Sequence, residues 1–309
     1  MFVALPTKEP QYLKIKRKLG EGSFGKVYEI KYKDQPSALK IVEKAKLIDR
    51  QIVKQEIQTI QHLMKSFPDC LQNIICYYDV LEDEEQYYFI SEMMDSDLFD
   101  IIVNNSQYKN LTFCKKVMII YSMTRQILEG LDILHKIGIF HRDIKLENFL
   151  IGKDKNGKTV LKITDFGLSC VVPNCPWDKN IGSREYLHPD LLINPDEKWK
   201  FAYDLYAVGI CLYTMLTSNY LMEREEINYL MQELRDQNIE QSDFLSYYEK
   251  NYKQGMETLE SYYRTPVKNQ CTAEELKIFD KLFYVVKKLT DPNLDRDMTV
   301  GQVKLMLSI

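Results

Sequence analysis

The chain predicts an α+β fold, strands first and helices after, and three stretches carry that reading. Around the glycines of GEGSFGKVY (20–28), Leu13, Ile15 and Leu19 alternate with Lys14, Lys16 and Lys18 on one side. On the other, Tyr28, Ile30 and Tyr32 alternate with Glu29, Lys31 and Lys33. A two-residue period marks half-buried strands, so the glycines form the turn of a hairpin. DRQIVKQEIQTIQHLMKS (49–66) then changes to helical period, with Ile52, Ile60 and Leu63 on one face. Further on, YDLYAVGICLYTML (203–216) is an apolar run broken only by Asp204, too short and too interrupted to span a membrane.

Composition bounds the rest. With 309 residues, 45% hydrophobic and 28% charged, the chain has material for one large domain or two lobes. A net charge of −4 and a pI near 5.7 argue against a nucleic-acid backbone or an anionic membrane as the main partner. The start, MFVALPTKEPQYLKIKRK, lacks the basic region and apolar run of a secretory signal. The expectation is an intracellular protein, cytoplasmic and with the nucleus also open to it. Seven cysteines without a CxxC pair predict reduced thiols rather than a disulfide framework or a zinc site. No internal repeat is visible; the one shift in composition is an acidic, tyrosine-rich stretch from about 219 to 265.

A glycine-rich turn invites a phosphate, and its setting decides how. A dinucleotide fold needs a helix directly after the glycines, whereas here a strand follows. Gly20 to Lys26 spells GxxxxGK, yet Val27 stands where a P-loop needs a metal-binding hydroxyl. What survives is a flap in which Gly20, Gly22 and Gly25 let backbone N–H groups approach a nucleotide's phosphates. In SALKIV (37–42), Lys40 sits in a short β-like run, and Glu56 interrupts the apolar face of the following helix. A carboxylate in such a stripe needs a partner, and Lys40 is the candidate in chain order.

HRDIKLENFLIGKDKNGKTVLKITDFG (141–167) completes the pattern. With the flap, Lys40, Glu56, His141-Arg142-Asp143, Asn148 and Asp165-Phe166-Gly167 in order, the chain resembles the eukaryotic protein kinases over roughly residues 12 to 308. The resemblance implies a bilobal fold, with a small antiparallel sheet plus one helix in residues 1–92 and a larger, mainly helical lobe in 93–309, together one kinase domain. It implies Mg-ATP as phosphoryl donor and a protein Ser/Thr hydroxyl as acceptor. Asp143 would accept the hydroxyl's proton, and Asn148 and Asp165 would be the magnesium ligands. Lys40, tethered by Glu56, would touch phosphate oxygens, while Leu19, Gly20, Gly22, Ser23 and Gly25 would cover the nucleotide. Val27, Ala38 and Leu150 would enclose adenine, Glu92 and Met94 would offer it backbone groups, and Asp97 would face the ribose. Lys145 resembles the lysine of serine/threonine kinases, and Ser183 the residue that bonds Asp143 and Lys145. Ser91 would guard the back of the slot, His141 would pack under Phe166 with Ile60 nearby, and Asp204 would hold the catalytic-loop backbone.

The chain departs from the family in several places. His188-Pro189-Asp190 replaces Ala-Pro-Glu, with Asp190 still expected to pair with Arg296. Leu146 stands where most relatives have proline. No Ser, Thr or Tyr lies between Ser169 and Ser183, which predicts activity without loop phosphorylation, Asp178 serving as a substitute anion. Cys170 and Cys175 read as ordinary loop cysteines, with a redox switch as the alternative. Residues 219–270 form an enlarged segment, in which Ile227, Leu230, Met231 and Leu234 make a helical face that packs on the lobe or docks a regulator. Local likenesses point both to calcium/calmodulin-dependent kinases and to the kinases related to the IκB kinases, so the subfamily stays open. The rival readings are a pseudokinase scaffold and a small-molecule kinase; the intact motif set opposes the first, Lys145 and Ser183 the second.

Overall fold

The computed structural model describes residues 2–6, 11–22, 25–47, 49–175, 181–194, 197–267 and 271–308. Ser23 and Asp178, both given roles above, lie outside the described residues.

The first part of the chain is built on strands β1 (Phe2–Leu5), β2 (Gln11–Lys14), β3 (Arg17–Gly22), β4 (Gly25–Tyr32) and β5 (Gln35–Glu43). Helix α1 (Arg50–Ser66) and strands β6 (Tyr77–Glu82) and β7 (Gln86–Glu92) follow. Among the described residues, five strands form one antiparallel sheet in the order β3-β4-β5-β7-β6. β3 and β4 are the hairpin around the glycines. The long alternation before them is not one strand: it breaks at Ile15–Lys16, and Leu13 belongs to β2, which pairs with β1. Arg17 accounts for the break, because its charge cannot follow the apolar side inward and instead pairs with Glu29 at 2.7 Å. Leu5 and Leu13 pack with Ile30, Tyr32, Leu39 and Ile90 as a small core outside the main one. Gly25 is required by the fold itself, since a Cβ there would run into the Ile41 carbonyl.

Helix α1 starts where Asp49 accepts the N–H of Gln51 at 2.7 Å. Its buried face carries Val53, Glu56, Thr59, Ile60 and Leu63, so Val53 takes the place expected for Ile52, which is half-buried.

After the hinge come β8 (Ser96–Asp97), α2 (Ser106–Lys109), α3 (Phe113–Lys136), β9 (Ile139–Phe140), β10 (Phe149–Lys153), β11 (Thr159–Ile163) and β12 (Cys170–Val171). Helices α4 (Pro189–Ile193), α5 (Phe201–Thr217), α6 (Arg224–Arg235), α7 (Gln241–Val267), α8 (Ala273–Leu289) and α9 (Val300–Leu307) complete the lower lobe. Every residue of α5 from Ala202 to Leu216 is buried, Asp204 included, which makes this helix the core's axis rather than an amphipathic surface element. Gly209 lets α8 approach it: a Cβ there would stand 2.6 Å from Leu289 Cβ. Ile227, Leu230 and Met231 of α6 are buried with Leu187, Tyr203, Phe244 and Tyr248 in a second core. The apolar face of the enlarged segment is therefore occupied by the lobe itself. Among the described residues, no helix is long and apolar enough to cross a membrane.

The expectation of reduced, unconnected cysteines is overturned by the fold. Cys70 and Cys76 have Cα atoms 5.2 Å apart, Cys114 and Cys271 5.5 Å, and Cys170 and Cys175 5.2 Å; all three pairs are bridged. Cys211 alone is free, buried in α5. Two bridges close short loops, one of them between Cys170 and Cys175, and the third joins residues 157 apart, beyond the reach of any local spacing.

Candidate active site

Lys40 lies on β5, between β4 and β7, opposite Val27 and Phe89. Its Nζ stands 2.7 Å from Glu56 Oε1 and 3.6 Å from Asp165 Oδ1, so the sheet, α1 and the lower lobe meet at one cation. Glu56 is 1% exposed. Burial pushes its carboxyl up, and Lys40 pulls it back. For Lys40, burial alone would lower the ammonium, but the charges of Glu56 and Asp165 win and hold it above the usual lysine range.

The catalytic loop runs from β9 to β10 and hangs from Asp204. That carboxylate accepts the backbone N–H groups of His141 at 2.9 Å and Arg142 at 3.0 Å, with His135 Nε2 3.1 Å away. Burial would raise the Asp204 carboxyl, yet His135 and the loop N–H groups hold it below the ordinary range. Suspended this way, Arg142 adopts φ 66°, a left-handed turn that directs the following residues into the cleft.

Asp143 is the convergence point. Lys145 Nζ lies 2.7 Å from its Oδ2, and Ser183 donates both N–H and Oγ to its Oδ1, each at 3.1 Å. Lys145 also reaches Ser183 Oγ at 3.1 Å, so the three groups form a closed triangle. Burial would lower the Lys145 ammonium, but Asp143 more than offsets this and raises it. Asn148 spends its amide N–H groups on the Asp143 carbonyl at 2.7 Å and on Oδ2 at 3.2 Å, which leaves its Oδ1 as a free oxygen donor among the described residues. Asp165, at φ 61°, gives Oδ1 to Lys40 and to Gly167 N–H, leaving Oδ2 in the same condition. Burial would raise the Asp165 carboxyl, whereas Lys40 and the Gly167 N–H hold it low. Two hard oxygens facing one cleft suit magnesium, so the expected donor set fits.

Behind these groups, His141 packs on Phe166 with ring centroids 5.5 Å apart, and its Nε2 is 2.9 Å from the Thr164 carbonyl. Ile60 is fully buried. Ser169 ties the activation segment to α1, its carbonyl accepting from Gln55 Nε2 at 3.0 Å and Thr59 Oγ1 at 3.3 Å. Farther along, Asp190 receives Arg296 Nε at 2.9 Å, so the shorter carboxylate keeps its pair.

The residues expected to enclose a nucleotide come from strands of both lobes. Val27 and Ala38 are half-buried on adjacent strands, and β8 pairs with β10 so that Leu150 sits opposite Asp97. Leu19 is 37% exposed at the mouth. Ala38 faces Ser91 across the β5–β7 ladder. Met94 lies against Gly152. The Glu92 N–H is committed to Cys76 O at 2.9 Å, which leaves its carbonyl, already reached by Ser91 Oγ at 3.4 Å, as the backbone group that could meet adenine. Its carboxylate bonds Lys162 Nζ and Cys76 N–H, each at 2.7 Å, a buried latch behind the hinge that the sequence did not disclose. Asp97 already accepts the Asp100 N–H at 2.8 Å, which leaves its other oxygen for a ribose. Tyr77 was also missed; its ring lies 6.2 Å from Phe166, and burial, then the Glu56 charge, push its phenol up.

Comparison with known proteins agrees with this geometry. Residues 13–286 match the family described as protein kinase domain. The chain is similar to CBL-interacting serine/threonine-protein kinase 1 of Arabidopsis thaliana, 32% identical over 211 residues, 65% of this chain and 44% of that protein. It is similar to calcium-dependent protein kinase 33 of the same plant, 32% identical over 210 residues, 66% of this chain and 37% of that one. Aurora kinase of Candida glabrata is 32% identical over 205 residues, 65% of this chain and 52% of that protein. The chain spans about half or less of the length of these curated relatives. A strand-built upper lobe joined through Lys40, Glu56 and Asp165 to a helical lower lobe, and a family match over most of its length, leave one assignment: the chain belongs to the protein kinase family.

Proposed function

We propose that the chain is a serine/threonine protein kinase that moves the γ-phosphoryl group of Mg-ATP onto Ser/Thr hydroxyls of protein substrates. The observation that carries the reading is the triangle of Asp143, Lys145 and Ser183 beside the free oxygens of Asn148 and Asp165. Leu19, Val27, Ala38 and Leu150 would hold the adenine, and the flap of Gly20, Gly22 and Gly25 would close over the phosphates. Lys40, kept charged and fixed by Glu56, steadies the donor's phosphate oxygens. Asp143 orients the acceptor hydroxyl and takes its proton as the oxygen attacks phosphorus; the β-phosphate leaves as ADP. Lys145 lies where charge builds on the transferred group. A magnesium ion held by Asn148 and Asp165 would add positive charge to the phosphate oxygens. Both ends of the activation segment are fixed by residues of the chain, Ser169 to α1 and Asp190 to Arg296, and we expect activity without loop phosphorylation. The cytoplasm, with access to the nucleus, is the compartment this reading favours.

A phosphate-transfer assay on generic Ser/Thr protein acceptors tests it, wild type against Asp143→Asn. Transfer by the wild type, reduced by about 10²–10⁴-fold in the variant, is the expected result. Wild-type protein that labels no acceptor, or a variant as active as the wild type, would overturn the reading.

A further inference from the structure

Two carboxylates stand just beyond members of the Asp143 triangle, and the chain treats them differently. Glu147 stands two residues after Lys145 and is open to solvent. Glu185 stands two residues after Ser183, with its side chain only 9% exposed.

Glu185 is answered from within. Arg224, the first residue of α6, sets Nε 2.8 Å from one of its oxygens and Nη2 2.6 Å from the other, a two-pronged fork. One turn later, Asn228 Oδ1 accepts Arg184 Nη1 at 2.5 Å, so neighbouring residues of the activation segment are gripped by one face of the helix. Ile227, between the two grips, is fully buried in the second core, and the helix cannot swing aside without emptying that site. The Arg224 side chain is nevertheless 53% exposed. An incoming peptide therefore meets a guanidinium where the backbone order alone would have put a bare carboxylate.

We propose that Arg224 is a specificity-determining residue. It discharges Glu185, so the chain favours acceptor peptides whose residues beside the target hydroxyl are neutral or acidic over peptides that carry Lys or Arg there. A peptide cation would have to displace a bidentate partner already in place or sit beside a like charge, and both are unfavourable. The two prongs of Arg224 both go to Glu185, which makes the effect local to that carboxylate. The assignment rests on the serine/threonine kinase reading and names the substrate class of that same site.

The test uses three serine peptides that differ only in flanking residues, arginine, alanine or glutamate, with KM and kcat measured for wild type, Arg224→Gln, Arg224→Lys and the Arg224→Gln/Glu185→Gln double variant. In Arg224→Gln the kcat/KM of the arginine peptide relative to the alanine peptide should rise on the order of tenfold, carried in KM. Arg224→Lys, which keeps the charge, should stay near the wild-type ratio, and the double variant should return to it. A merely structural salt bridge would change melting temperature and kcat for all three peptides alike. A ratio that does not move in Arg224→Gln, or that moves equally in Arg224→Lys or in the double variant, would overturn the assignment. Wild-type turnover of the alanine peptide reports the kinase reading by itself; no turnover of any peptide would overturn both.

Discussion

Ser183 places its hydroxyl and its own backbone N–H on the same oxygen of Asp143, each at 3.1 Å, so one residue orients that carboxylate twice. Replacing it with alanine removes one of these bonds and the Lys145 contact but leaves the backbone one. A hydrogen bond to a charged group contributes about 1.5–3 kcal/mol, so Ser183→Ala should lower kcat by roughly 10- to 150-fold with little change in KM for ATP. Steady-state kinetics decide it, and an unchanged kcat would mean the triangle is incidental.

His188 should make the protein acid-sensitive. It is buried at the start of α4, Nδ1 accepting the Asp190 N–H at 3.1 Å, with Tyr203 and Tyr206 centroids 5.0 and 4.8 Å from its ring. Burial, and then the Arg296 charge, push it down from 6.5 to about 2. Below the unfolded value the unfolded chain binds a proton that the folded chain refuses, so stability is full above that value and drains as pH falls. From pH 7.5 to pH 5 the loss from this group is about 2 kcal/mol. Denaturant unfolding across that range should show a shallower decline in His188→Asn, which keeps a capping side chain; equal slopes would dismiss the idea.

In the proposed nucleotide-binding role, Ser91 and its cross-strand partner Ala38, both small, would leave the rear of the slot open. Ser91→Met would fill the space between the two strands. Bulky inhibitors competing with ATP should lose on the order of tenfold or more in potency, with KM for ATP changed much less. Equal potency on both proteins would show that the slot is not bounded by this residue.

Cysteine connectivity can be counted. Unreduced protein, unfolded in denaturant, should react at one thiol per chain, that of Cys211, and at seven after reduction. Seven thiols before reduction would mean that the three pairs are neighbours without bonds.

The chemistry of the site was more legible than its support. Lys40, Glu56, Asp143, Lys145, Asn148, Asp165 and Ser183 are side chains with distinctive chemistry at fixed intervals, and the structure brings them together. Glu56 could even be read physically, because an acid among Val53, Ile60 and Leu63 must have a partner. Lys162, Tyr77 and the side-chain role of Glu92 were not readable: none shows in the sequence until β11, β7 and β6 are seen side by side. The break at Ile15–Lys16 was marked only by Arg17, the one charged residue on the apolar side of the alternation, and the bridge between Cys114 and Cys271 was hidden because its halves are brought together only by α3 and α8. Pairwise proximity across an intervening fold has no trace in local spacing.

The pairing of Asp190 with Arg296 also sets an order of events during synthesis. When Asp190 leaves the ribosome, its partner is still 106 residues away in the message. At roughly 5–20 residues per second, about 5–20 s pass before the anchoring arginine exists. Throughout that interval the nascent chain already holds every group of the Asp143 triangle but not the clasp that fixes the far end of the activation segment.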